Sequence, residues 1–373
     1  MLKILTVFGT RPEAIKMAPV IAELEKHGGM ILNKNCFTGQ HRDMVQPLIR
    51  LFDIRVEYDL NLMRDNQSLD YLTTRVIEEV GRILREDAYD YVLVQGDTTT
   101  SMAASMAAFY RGTRIGHVEA GLRTYDKAQP YPEEVNRRII DAMADLYFAH
   151  TEHAKENLLR EGVKASRIAV TGNTVIDALF EVANRDYEFT DSSLRELSRD
   201  PRKIVLVTAH RRESFGDPLK SICAGLKQLA LEHGDDIVVV YPVHRNPHVR
   251  RVVGSMLSGL ENVVLLDPLD YVPFVHLMKK SYLVLTDSGG LQEEAPSLDK
   301  PVLVLRKVTE RQEAVAAGTV RLVGTDAGDI VAEASRLLTD REAYEAMALK
   351  TNPYGDGTAA AKTVKRILEE ASL

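Results

Sequence analysis

Short, continuously apolar runs recur along the 373-residue chain: ILTVF, YVLVQ, LYFAH, KIVLVT, DIVVVY, NVVLL, YLVLT and PVLVL, with amphipathic helical segments after most of them. A strand with one wet face alternates apolar and polar residues; a strand covered on both faces does not, so these runs predict parallel sheets in an α/β fold. Two segments read as separate beginnings. Lys3–Phe8 leads through a loop into a helix with Met17, Val20, Ile21 and Leu24 on one face. Lys203–Thr208 leads into another with Leu219, Ile222, Cys223 and Leu226 at the same spacing. A polar stretch, Arg185 to Arg202, lies between the halves. The chain is too long for a comfortable single core. We therefore expect two doubly wound domains, the second starting in the region of residues 173 to 203, with ligand-binding loops at strand carboxyl ends facing a cleft between domains.

A formal net charge of -7 and the lack of any basic run argue against nucleic-acid binding. Cys36 and Cys223 have no metal-ligand spacing and read as reduced, packed thiols, and the histidines are too scattered for a metal site. The first apolar run is too short for a signal peptide, and no stretch approaches membrane-spanning length. The expectation is a cytoplasmic protein that binds no membrane.

The segment Thr286 to Arg306 is the most informative for chemistry. A strand ending at Leu285 breaks at Thr286-Asp287-Ser288-Gly289-Gly290, and a helix is expected from Leu291 onward. Glycines there allow close approach to the backbone, and a helix start offers N–H groups to an anion. Glu293 and Glu294 stand one turn in, placed to accept from hydroxyl groups, a pattern suited to a nucleotide carrying a ribose or sugar. At the first loop, Arg11 and Lys16 bracket a helix start and could hold a diphosphate. The loop is neither a Walker loop nor a GxGxxG turn, which argues against a nicotinamide cofactor. Asp97, Glu119 and the pair Glu133–Glu134 follow strands on the ligand side of the first sheet. Crowded carboxylates repel, so at least one pKa is expected to rise, which supplies an acid and a base together. For Asp97 the structural alternative is a helix cap; for Glu133 and Glu134 it is a dipole-favoured first turn. His210-Arg211-Arg212-Glu213 ends the first strand of the second half, and His244-Arg245 ends another; His117 reads as a packed core histidine.

Taken together, GTRPEAIKMAP (9–19), TGQHRDM (38–44), GDTTTSMAASMAAFY (96–110), HVEAGLRT (117–124), PEEVNRR (132–138), TGNTVIDAL (171–179), AHRRESFG (209–216), YPVHRNP (241–247), TDSGGLQEEAPSL (286–298) and ERQEAVAAGTVRLVGTD (310–326) resemble the non-hydrolysing UDP-N-acetylglucosamine 2-epimerases, over essentially the whole chain. The resemblance implies a GT-B architecture of two Rossmann-like, doubly wound domains with an interdomain cleft. Residues 1–172 with a returning helix in 358–373 would form one domain, and 173–357 the UDP-binding one. It implies interconversion of UDP-GlcNAc and UDP-ManNAc by elimination and re-addition of UDP through a glycal, without cofactor or metal, by a homodimer. By motif position it implies catalytic roles for Asp97, Glu119 and Glu133, and contacts to the UDP side by Arg11, Lys16, His210, Ser288, Gly289, Gly290, Glu294 and Arg311. His210 would also act in catalysis. Gln40, His41, Arg211 and His244 match an activator site for a second UDP-GlcNAc. The sequence departs from the family at Asp43, where Glu or Gln is usual, at Asn66, where some members have Arg, and at Tyr125, where glycine is common.

Rival readings share parts of this pattern. A hydrolysing epimerase would release ManNAc and UDP, and a related 2-epimerase would act on a modified UDP-sugar. A GT-B glycosyltransferase needs an acceptor surface that the sequence does not show. A nucleotide-sugar sensor gains nothing from carboxylates crowded near a diphosphate.

Overall fold

The computed structural model describes residues 1–371 apart from Asp65, Arg212 and Glu213. The chain divides into two compact units: Met1–Ala178 joined by the segment from Tyr354 onward, and Leu179–Pro353. The division falls inside the helix Thr174–Ala183.

The first unit contains β1 (Leu2–Phe8), β2 (Ile31–Phe37), β3 (Tyr58–Asp59), β4 (Tyr91–Gln95), β5 (Arg114–Ala120), β6 (Leu146–Ala149) and β7 (Ile168–Val170). They form one sheet in the order β3-β2-β1-β4-β5-β6-β7, with every adjacent pair parallel. The second unit contains β8 (Lys203–Thr208), β9 (Ile237–Pro242), β10 (Val263–Leu266), β11 (Leu283–Thr286), β12 (Val302–Val304) and β13 (Val320–Leu322). Its order, β10-β9-β8-β11-β12-β13, repeats the same plan, again all parallel. In both units the winding direction reverses beside the first strand, between β1 and β4 and between β8 and β11. This is the Rossmann-like doubly wound arrangement, present twice as in the GT-B class, and the loops beyond such a reversal are the usual ligand-binding position.

All of the apolar runs became strands. Leu5, Val7, Val92 and Val94 pack in one core, and Val205, Val207, Leu283 and Leu285 in the other, each fully buried. Met17, Val20, Ile21 and Leu24 line the buried face of the helix Arg11–Lys26, and Leu219, Ile222, Cys223 and Leu226 that of the helix Asp217–Glu232. Each such side chain contributes roughly 1.5–3 kcal/mol on transfer from water. Cys36 and Cys223 are both free and buried. Among the described residues no helix is long and apolar enough to cross a membrane.

The last helix, Ala359–Ala371, belongs to the first unit and packs on the helix Arg11–Lys26. Its first N–H groups have no partners within the helix. The carboxylate of Asp177, far back in the sequence, accepts from Ala359 N at 3.2 Å and from Ala360 N at 2.9 Å. Replacing a capping carboxylate by alanine typically costs about 1 kcal/mol. Asp177→Ala is therefore expected to lower the unfolding free energy by about that amount in urea titration; an unchanged midpoint would show that the cap carries no weight.

Candidate functional site

At the first reversal, between β1 and β4, Gly9 follows the end of β1. A Cβ there would lie 2.1 Å from Thr38 Oγ1 and 2.6 Å from Thr100 Oγ1, so only glycine fits against those hydroxyls. The helix that follows has Arg11 as its first residue, and Glu13 in its first turn reaches back to Thr10 N as in one half of a capping box. The Glu13 carboxylate is fully buried. It accepts from Gly9 N (3.1 Å) and Thr10 N (2.8 Å) on its own loop, and from Thr98 Oγ1 and Ser101 Oγ (both 2.8 Å) beyond β4. Burial raises its pKa, against the pull of these donors. Among the described residues Arg11 pairs with no carboxylate.

Asp97 lies just beyond β4. The capping alternative fails, because Thr98 caps the helix Thr99–Phe109. Instead the Asp97 carboxylate accepts from Arg137 Nη2 (2.5 Å) and Nε (3.1 Å), while its carbonyl accepts from Asn136 Nδ2 (2.9 Å). Glu119 sits inside the end of β5 rather than after it, at a register shift against β6, with φ +66°. A non-glycine residue in that region is strained, and such strain tends to mark functional positions. The irregularity re-aims the side chain, whose Oε2 takes an ion pair from Lys16 Nζ and a hydrogen bond from Gln95 Nε2 at 2.7 Å. Lys16, expected at a diphosphate, is thus joined here to a candidate acid.

Glu133 and Glu134 part ways. Glu134 is fully buried and accepts from Thr124 N (2.9 Å), Tyr125 N (3.1 Å) and Arg137 Nη1 (3.1 Å), so its work is to hold the loop after β5. Glu133, in the first turn of the helix Glu133–Met143, is half-buried and has no such partner among the described residues. Asp97 and Glu119 each have their own cation, and burial raises the pKa of the Glu13 carboxyl. Tyr125 has φ +61°, a conformation glycine adopts without strain, and its hydroxyl donates to Asn157 Oδ1 at 3.1 Å.

His117 is in the core as expected, yet it reaches the site. Nε2 meets the carbonyl of Gly96, next to Asp97, at 2.7 Å, and Nδ1 meets Asp141 Oδ1 at 2.6 Å. With both ring nitrogens on acceptors, both bonds form only when the ring carries two protons. Asp141 also accepts from Arg123 Nη2 at 2.7 Å. Burial opposes its ionisation, but His117 and Arg123 together hold its carboxyl below the ordinary value.

At the second reversal, Thr208 of β8 stands opposite Thr286 of β11 with their hydroxyls 2.6 Å apart. The next residue, Asp287, is fully buried, and its Oδ2 accepts from His210 N (2.7 Å) and Arg211 N (2.8 Å). The His210 ring is 42% exposed and stacks on His244, centroids 5.3 Å apart and planes at 9°. Partial desolvation lowers the His210 pKa; Asp287 opposes that shift, while His244 and Arg211 add to it. Arg211 lies 3.9 Å from Glu310. Although burial opposes it, Arg306 holds the Glu310 carboxyl down at about 2. Arg212 and Glu213 lie outside the described residues.

The helix expected from Leu291 starts two residues earlier. It spans only Gly289–Glu294, with Ser288 as N-cap, before a 3-10 turn Ala295–Leu298. So short a helix carries little macrodipole. Arg311 lies directly over Gly289, where a Cβ would come within 3.2 Å of Cζ. Its Nε donates to Glu293 Oε1 at 2.8 Å, and Glu293 is 2% exposed. Glu293 is therefore the partner of Arg311 and not an acceptor for ligand hydroxyls; Glu294 is half-buried. Gln40 is held by Thr100 Oγ1 at 2.8 Å, and its neighbour His41, an exposed N-cap residue, donates its N–H to Gly9 O at 3.0 Å. Each expected site residue stands on a strand-end loop, at a strand end or in the first turns of a helix in its own unit. Sequence reasoning missed Glu13, Gln95, Arg137 and the anchoring role of Asp287. Of these, only Glu13 had a local signal, the T-x-x-E capping box. Among the described residues no group of three or more His, Cys, Asp or Glu is arranged to hold a metal.

Two Rossmann-like units define a protein of the GT-B fold class. The UDP-N-acetylglucosamine 2-epimerase family model matches residues 22–368. An Escherichia coli K12 UDP-N-acetylglucosamine 2-epimerase is 52% identical over 373 aligned residues, covering 98% of each chain. The crystal structure of UDP-GlcNAc 2-epimerase from Neisseria meningitidis bound to UDP-GlcNAc superimposes with a TM-score of 0.88 at 48% identity, covering 99% of this chain and 100% of that one. That of the Methanocaldococcus jannaschii enzyme in complex with UDP-GlcNAc and UDP gives 0.78 at 31% identity, with the same coverage. The chain belongs to the UDP-N-acetylglucosamine 2-epimerase family, whose members are isomerases.

Removing one member of a buried charge cluster leaves the others uncompensated. Asp141→Asn is accordingly expected to destabilise the protein by about 3 kcal/mol, read by chemical denaturation. A loss under about 1 kcal/mol would show that the His117–Asp141–Arg123 cluster contributes no more than a surface pair.

Proposed function

We propose that the protein interconverts UDP-N-acetylglucosamine and UDP-N-acetylmannosamine without hydrolysis, using no metal or cofactor. The observation that carries this reading is the pair of acids, Asp97 and Glu119, at the ends of adjacent strands β4 and β5, each held by its own cation. In the reaction a carboxylate takes the proton from carbon 2. The C–H electron pair becomes the double bond to the anomeric carbon, and the anomeric C–O pair leaves with UDP. A proton is then delivered to the opposite face of carbon 2 while UDP adds back. Two groups on opposite faces, or one group and a water, are needed, and Asp97, Glu119 and Glu133 are the candidates.

Arg11, Lys16 and His210 would stabilise charge growing on the departing diphosphate, Ser288, Gly289, Gly290 and Arg311 would bind phosphate, and Glu294 would accept from the ribose. Phosphate oxygens arriving at Lys16 would compete with Glu119 for the ammonium, and a carboxylate deprived of its cation is a stronger base. Gln40, His41, Arg211 and His244 are the proposed activator contacts. From the family resemblance we also propose a cytoplasmic homodimer.

Incubated alone with UDP-GlcNAc in D2O, the protein is expected to form UDP-ManNAc carrying deuterium at carbon 2, followed by proton NMR. Free ManNAc rising in step with UDP would replace this reading by the hydrolysing one. Asp97→Asn and Glu119→Gln are each expected to slow turnover by roughly 100-fold or more, with UDP affinity by calorimetry changed only a few-fold. Near-normal turnover in both would take these acids out of the chemistry.

A further inference from the structure

Asp287 was singled out by nothing except its place in the break after β11, yet its side chain is fully buried. Its Oδ2 is committed to two backbone N–H groups, those of His210 and Arg211. Its Oδ1 is buried and accepts no hydrogen bond among the described residues. That second oxygen lies 3.6 Å from His210 Nδ1, outside hydrogen-bonding distance but inside ion-pair distance. A buried carboxylate oxygen without a donor is costly, and among the described residues this ring nitrogen is the basic group within ion-pair distance of it. The other flank of the ring is fixed by the His244 stack.

We infer that Asp287 is a positioning residue for His210. One carboxylate oxygen fixes the backbone of the loop, and the other turns Nδ1–H of the imidazole inward, so that Nε2 donates to an anionic ligand oxygen once the ring takes up its second proton. Bonds of this kind are often long without ligand and shorten when it binds. The assignment rests on the reading above that His210 acts on the UDP diphosphate. The parallel strands dictate the arrangement: Thr286 in register with Thr208 puts the residue after Thr286 beside the turn that follows Ala209. Tyr241 adds a further tether, its hydroxyl donating to Ala209 O at 2.6 Å. Among the described residues the charged and titratable groups that act on the ring are Asp287, His244 and Arg211, of which Asp287 favours the charged imidazolium.

The test is nitrogen NMR of protein labelled at histidine, with His210 assigned through His210→Gln. In the unaltered protein the neutral ring is expected as the Nδ1–H tautomer. In Asp287→Asn the amide oxygen must take over the two backbone N–H groups, so the amide NH2 faces Nδ1 and the ring proton moves to Nε2. Loss of the carboxylate charge moves the His210 titration to lower pH. Epimerisation is expected to fall roughly 100-fold or more, with UDP affinity altered less than about threefold, a split that simple unfolding cannot give. An Nε2–H tautomer in the unaltered protein overturns the inference, as does a titration and tautomer unmoved in Asp287→Asn. Should Asp287→Asn not fold, the tautomer of the unaltered protein decides alone. Should the unaltered protein fail to epimerise UDP-GlcNAc, the proposed substrate is wrong, and the two NMR readings still decide whether Asp287 orients the ring.

Discussion

At each point where a doubly wound sheet reverses, the chain leaving the first strand loses its strand partners, and backbone N–H groups are stranded in the interior. Both units of this protein meet that problem with a fully buried carboxylate. Glu13 takes the N–H groups of Gly9 and Thr10 after β1, and Asp287 those of His210 and Arg211 after β8. Unpaired buried donors cost about 1–3 kcal/mol each, so without these acceptors the strand-end loops could not hold their shapes. Arg11 and Lys16 stand on the helix that the first of these loops opens, and His210 and Arg211 on the second loop itself.

The two devices differ in range. Glu13 comes from the same loop it caps and also ties that loop to Thr98 and Ser101 beyond β4. Asp287 comes from the neighbouring strand, so its effect depends on β8 and β11 being in register. A similar economy governs the acids. Arg137 and Asn136, on one turn of a helix, hold Asp97 from both its side chain and its carbonyl, and Lys16 and Gln95 hold Glu119. Asp97 and Glu119 are thereby fixed in place before a ligand arrives, Glu119 by Lys16 on the first helix and by Gln95 at the end of β4.

Much of this was legible in the residues. The continuous apolar runs announced buried parallel strands, and the equal spacing of apolar residues after Phe8 and after Thr208 announced two similar halves. Strands β2, β3, β5, β7 and β13 left no comparable run, because they are short or interrupted, β2 by Asn33, Lys34 and Asn35 and β5 by Gly116 and His117. The Glu293–Glu294 and Glu133–Glu134 pairs could not be resolved from sequence. Neighbours on a helix point to different sides, and only packing shows which one meets Arg311 or the loop at Thr124.

The amino-acid order alone determined the fold class, the doubling of the sheet, and which loops would carry charge, since these follow from hydrophobic period and from local turn and capping chemistry. Tertiary structure alone decided which charge meets which. Arg137 with Asp97, Lys16 with Glu119 and Asp287 with His210 are separated by 40, 103 and 77 residues. Electrostatic pairing depends on distance through space, and that distance is set by sheet order and strand register rather than by position along the chain.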